Sequence, residues 1–139
     1  MAYMSQEKKA KIAPVVKAVL KKYKIKASLA VRNHSTLVLN IKSGSIDFIE
    51  NYISTDRSSR SNDLSEEQVR YIRSNKSLDV NPYWYHEHFS GKAKKFLEEI
   101  IAAMNAGNHD RSNAQVDYFD VGWYIDVNIG NWKKHYEVI

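Results

Sequence analysis

The sequence predicts an α+β fold: a small antiparallel sheet, built from a hairpin over 26–42 and a strand over 122–129, with helices packed on one face. Three observations predict it. Apolar residues alternate at period two in both sheet segments. Two further segments carry apolar stripes at helical spacing. A capping box opens another helix. At 139 residues the chain is read as one domain spanning 1–139, long enough to bury a core without covalent staples.

Ser5 to Tyr23 reads as an amphipathic helix. Ile12, Val15, Val16, Val19, Leu20 and Tyr23 recur at the spacing of one helical face. Pro14 opposes an unbroken helix, because it has no amide hydrogen and clashes with the preceding turn. The strong segment is therefore expected to begin near Ala13, with Pro14 in the first turn. Lys8, Lys9, Lys11, Lys17, Lys21, Lys22, Lys24 and Lys26 make this the most basic part of the chain. Lys21, Lys22 and Lys24 also suit the negative end of a helix dipole.

The hairpin follows. Ala27, Leu29 and Val31 alternate with polar or small residues, as do Leu37, Leu39 and Ile41, and Asn33-His34-Ser35 supplies the turn. Ser45 is expected to cap a short helix through Ile46, Ile49 and Ile53. Ser54 to Asp63 reads as a polar loop, in which Arg57 and Arg60 are candidates to meet phosphate. Ser65-Glu66-Glu67-Gln68 is the capping box, with Leu64 and Val69 placed as its hydrophobic staple, and its helix is expected to reach about Ser74. Asn75 to Pro82 breaks regularity, and Pro82 pushes the residues before it to extended backbone.

Ser90 is expected to cap a helix from Gly91 to Ala106, with Phe96, Leu97, Ile100, Ile101 and Met104 buried and Gly107 ending it. Lys94 with Glu98 and Lys95 with Glu99 form i,i+4 pairs facing solvent. Trp123, Ile125, Val127 and Ile129 form the last clear strand. After the Gly130-Asn131 turn, a short edge strand ends in Val138 and Ile139.

Composition narrows the function. There is no cysteine, which removes disulfides and thiolate metal sites. No apolar run has the length of a membrane span, and no apolar stretch follows the N-terminal lysines, so neither a membrane partner nor a secretory signal is expected. The net charge of +5 favours a polyanionic partner, nucleic acid or an acidic protein complex. Lys17, Lys21, Lys22 and Arg32 are the candidate cations for it.

Asn81 to Gly91, Asn-Pro-Tyr-Trp-Tyr-His-Glu-His-Phe-Ser-Gly, concentrates aromatic rings and two histidines in one run. Tyr83 and Tyr85 are candidates to stack on bases or anchor a partner. Trp84 and Phe89 are expected to close the core instead. On a strand, His86 and His88 would point the same way and could share a metal, with Asp79, His109, Asp110 and His135 as possible further ligands. No cofactor is expected. A polar sheet face bearing Arg32, Thr36, Asn40, Tyr124 and Asn128 is a further place for nucleic acid. No Gly-x-Ser-x-Gly elbow and no phosphate-binding glycine loop is present.

Asp79-Val80-Asn81-Pro82-Tyr83-Trp84 and the run from Gly122 to Trp132 resemble small proteins of phages and other mobile elements, of the type associated with large polyvalent phage proteins. That family type has no assigned reaction, so no residue role is carried over. The resemblance implies a setting, the cytoplasm of a bacterial host cell, and action on a host system. The resulting expectation is a non-enzymatic binding protein acting on nucleic acid or on a host nucleoprotein or defence complex. The alternatives are a metal-dependent hydrolase centred on His86 and His88, and a structural or oligomerisation protein.

Overall fold

The computed structural model describes residues 3–58, 65–108, 122–131 and 133–139, with the backbone alone at 57 and 58. In chain order the elements are α1 (Gln6–Lys22), β1 (Ile25–Arg32), β2 (Thr36–Gly44), α2 (Phe48–Ser58), α3 (Glu66–Asn75), β3 (Leu78–Val80), α4 (Tyr85–His88), α5 (Gly91–Met104), β4 (Tyr124–Ile129) and β5 (Glu137–Val138). The class is α+β, as the alternation of apolar residues predicts.

Strand β2 lies inside the sheet, whose order is β1-β2-β4-β3. It pairs antiparallel with β1, and β3 pairs antiparallel with β4. One feature departs from an all-antiparallel arrangement: β4 runs parallel to β2, and β5 continues the same parallel pairing at Ser43 and Gly44. Period-two alternation fixes which face a strand buries and is silent about its direction, so the expectation on burial survives the change in pairing. Leu29 faces Leu39 and Leu39 faces Val127, while Val31 faces Leu37 and Leu37 faces Ile125. Leu37, Leu39, Ile41, Val127 and Ile129 are fully buried on this face, and Leu29, Val31 and Ile125 are partly buried against them. Burying each large aliphatic side chain contributes about 1.5–3 kcal/mol. The hairpin turn places Asn33 and His34 at positive φ, the twist-matching geometry of tight hairpins.

Helices α1 and α5 cover the apolar face. Ile12 and Val16 of α1 meet Phe96, Leu97, Ile100 and Met104 of α5 in one cluster, which reaches from Met4 to Tyr136. Pro14 does not set the start of α1, contrary to the sequence expectation. The helix begins at Gln6, capped by the Ser5 hydroxyl accepting from the Lys8 amide. Met4 and Ile12 are buried ahead of Pro14 and hold the early turns in place. Ala10, whose carbonyl would have accepted from residue 14, is exposed and can be hydrated. Val15, assigned to the apolar face, is exposed.

Three caps differ from expectation. Helix α2 extends to Ser58, so Ser54 to Ser58 is helical rather than loop, and residues 59–64 lie outside the described part. Its first amides are met by Asp47, whose carboxylate accepts from the Glu50 amide, because the Ser45 hydroxyl donates to the Tyr23 carbonyl instead. Ser90 precedes α5 without a side-chain cap; its hydroxyl bonds Thr55 at 2.8 Å, and Asn51 pairs with both the amide and the carbonyl of Ser90. Helix α5 ends at Met104, earlier than Ala106. The capping box at Ser65 and Gln68 is present in both directions. Its Leu64 staple lies outside the described residues.

The C-terminal segment closes the sheet. The Tyr136 hydroxyl, buried, donates to the Ile46 carbonyl at 2.6 Å, and burial raises its pKa well above the ordinary tyrosine value. Among the described residues, no helix is long and apolar enough to cross a membrane.

Candidate functional site

The run around which the sequence organises its chemistry forms a turn and one short helix. Asn81 makes the turn: its side-chain oxygen accepts from the amides of Tyr83 at 2.9 Å and Trp84 at 3.2 Å. This is an Asx turn, in which a short polar side chain replaces a backbone acceptor. The amide of Glu87 then donates to the Trp84 carbonyl and starts α4. Both ends of the turn are thus fixed by hydrogen bonds, and the rings between them project from a held backbone.

Tyr83 and Trp84 project outward, at 68% and 54% exposure. Trp84 was expected in the core, and the outward Asx turn is what removes it. Phe89 is buried as expected, packed on Phe48 and Tyr52 with ring centroids 6.3 and 5.6 Å away. Tyr85 is half-buried against the core, and its pKa is raised, first by burial and then by the nearby Glu98 carboxylate.

His86 and His88 do not sit on a strand. They occupy α4, where residues two apart are rotated by about 200° around the helix axis. The structure separates their surroundings accordingly. His86 lies against Trp84 and Tyr85, at centroid distances of 6.4 and 5.8 Å, while His88 lies against Tyr52 at 5.8 Å. The shared orientation that a common metal would need is therefore missing. Among the described residues no group of three or more histidine, aspartate or glutamate side chains is placed to hold a metal ion; His109 and Asp110 lie outside that part.

The candidate cations divide into two sets. Lys17 and Lys21 are exposed on α1 and form no ion pair among the described residues. Lys22 is bound to Glu99 at 2.7 Å, and Arg32 to Asp126 at 2.9 Å across the open sheet face. Those two cations are already neutralised within the fold. Glu99 also accepts from the Tyr23 hydroxyl, so it faces α1 and not only solvent. Its carboxyl is held below the ordinary range, first by Lys22 and then by Tyr23.

These contacts tie the basic end of α1 to α5. Lys22 and Tyr23 meet Glu99 on one side of α5, and the aromatic run leads directly into the first residue of the same helix. The first turns of α5 display Lys92, Lys94 and Lys95, all exposed, with Lys92 and Lys95 toward one side of the helix and Lys94 toward the other. The lysines of α5 are the part of this surface that the sequence reading did not assign, having placed Lys94 and Lys95 in solvent pairs only. Their position beside α1 depends on packing between segments 77 residues apart.

The polar face of the sheet is built as the alternation predicts. Ser28, Asn40, Asn128 and Asp79 stand opposite one another along one rung, and Asn128 donates to Asn40 at 3.4 Å. A separate groove of about 720 Å³ lies between the start of α2, the end of α3 and the C-terminal segment, lined by Asp47, Glu50, Arg73, Lys76, His135 and Glu137 among others. Arg73 crosses it in a two-pronged pair with Glu50, at 2.8 and 3.0 Å.

In comparison with known proteins, the chain matches no protein-family model, no curated protein and no solved structure.

Proposed function

We propose that the protein is a nucleic-acid-binding protein that grips its partner through the lysine surface shared by α1 and α5. The observation that carries this reading is the set of exposed lysines on two helices, α1 and α5, that the Lys22–Glu99 contact holds side by side. Lys17, Lys21 and Lys24 come from α1 and its exit, and Lys92, Lys94 and Lys95 from α5. None of them forms an ion pair among the described residues, while Glu99, the acid between them, is already taken by Lys22. Unpaired lysines at a chain charge of +5 attract a phosphate backbone and release its condensed counterions on contact. Tyr83 and Trp84 add two exposed rings that a partner's bases can meet. The resemblance of the 79–84 and 122–132 runs to phage and mobile-element proteins supports a setting in the cytoplasm of a bacterial host cell, where a host nucleoprotein or defence complex offers the same chemistry.

The test is a fluorescence-anisotropy titration with single-stranded and duplex oligonucleotides at several salt concentrations. Affinity is expected to fall steeply with salt. Replacing Lys17 and Lys21 together by glutamine should reduce the slope of log affinity against log salt by about 1.4 to 1.8. Lys22→Gln should instead weaken the fold, because it strips Glu99 of a partner. Absence of binding to strand and duplex at low salt removes nucleic acid as the partner and leaves an acidic protein surface in its place.

A further inference from the structure

We infer that Trp84, braced by His86, is a stacking platform for an unpaired base, so that the partner is single-stranded. This rests on the nucleic-acid reading above and names the form of nucleic acid it takes.

Three observations carry it. First, Trp84 and Tyr83 leave most of their surface in solvent, beside a core that buries Phe89 only five residues further on. Large rings that are not needed by the core and are adjacent to each other mark a contact surface. Second, the backbone that carries the rings is fixed and the Trp84 ring has a neighbour. Asn81 fixes the amides of Tyr83 and Trp84, and the His86 ring lies 32° from parallel to the indole at 6.4 Å. A ring supported in this way loses little conformational freedom on binding, which favours affinity. Third, the charges are distributed to suit a strand. Glu87 follows Trp84 by three residues and Glu98 acts on Tyr85, so acids accompany the aromatic run, while α5, which begins at Gly91 directly after it, carries the exposed Lys92, Lys94 and Lys95. A base fits over the aromatic turn while its phosphates are drawn to the exposed lysines at the start of α5.

A duplex cannot use this arrangement without cost. Its bases are stacked on both faces, and turning one outward costs a few kcal/mol. An unpaired strand presents its bases freely, and stacking on an aromatic side chain is tolerant of sequence.

The probes are an oligothymidylate strand, a strand of the same length with abasic residues, and a duplex of matched length. Trp84→Ala should weaken binding of the thymidylate strand by about fivefold to 150-fold. The salt slope should not change, since no lysine is removed. Trp84→Phe should recover most of the loss. The abasic strand and the duplex should bind wild type and Trp84→Ala alike. Trp84 is exposed, and near-ultraviolet circular dichroism of the variant checks that the fold is kept. If the thymidylate and abasic strands bind equally well and Trp84→Ala changes neither, the stacking inference is overturned while nucleic-acid binding stands. If no probe binds at low salt, the broader reading fails and this inference fails with it.

Discussion

Tyr23 and Glu99, 76 positions apart in the chain, share a hydrogen bond that ties the end of α1 to the middle of α5. The Tyr23 ring also packs edge-on against Phe96, with centroids 5.3 Å apart. One side chain therefore contributes apolar area to the core and a polar contact at its rim, where Lys22 completes the pair.

The depressed pKa of Glu99 makes this contact dependent on pH. A carboxyl that holds its proton less tightly in the folded state stabilises the fold above its unfolded pKa, and this is lost as pH falls through its folded value. The group is solvent-accessible, so the effect is small and weakened by salt. Glu99→Gln should be less stable than wild type at neutral pH, and the gap should close in the acid range and at high salt. Urea unfolding of both proteins across that range checks it; a gap independent of pH would show that the charge of Glu99 contributes nothing.

Gly130 is a glycine that the fold cannot replace without moving backbone. It has φ of +66°, and a Cβ there would stand 2.6 Å from the Lys76 carbonyl oxygen and 2.7 Å from the Tyr136 amide nitrogen. Gly107 has φ of +84°, but its nearest neighbour would be the Trp123 ring at 3.9 Å. Gly107→Ala should cost about 1–2 kcal/mol, from left-handed strain alone. Gly130→Ala should cost clearly more, because backbone must move. Thermal melts of the two variants that shift equally would contradict this.

Ser65→Ala removes one half of the capping box and should cost about 1 kcal/mol, since the Gln68 amide loses its partner. The loss should appear in chemical unfolding with no change in binding, as α3 lies outside the lysine surface.

Pro14→Ala should stabilise the protein. The helix passes through this position intact, and proline there withholds one hydrogen bond from an exposed turn. A gain of about 2 kcal/mol is expected, less than the full interior cost of proline because the unfolded chain also gains freedom. An unchanged melting midpoint would show that the turn around Ala10 is already relaxed.

What could be read from the sequence follows from how local each signal is. The buried face of the sheet was legible because alternation alone sets it: Leu37, Leu39 and Val127 need no knowledge of pairing. The direction of β4 was not, since its neighbour β2 lies 88 positions earlier and nothing in either segment records it. The Ser65 box was legible down to its hydrogen bonds, because all its parts lie within four residues. The partners of Lys22 and Arg32, 77 and 94 positions away, were not. Trp84 was misplaced for a different reason. Aromatic residues between two helices suggest core, and that outweighed Asn81-Pro82, a turn signal that was present and points the indole outward.

The parallel pairing of β2 with β4 and β5 also bears on how the protein is made. A chain leaving the ribosome N-terminus first produces β2 long before the strands that flank it. Until residues 124–138 emerge, one edge of this apolar strand has none of its native neighbours. Nascent or truncated chains lacking the last strands therefore carry an open, sticky edge, the kind that invites pairing between molecules. The sheet is completed only when β4 and β5 pair with β2.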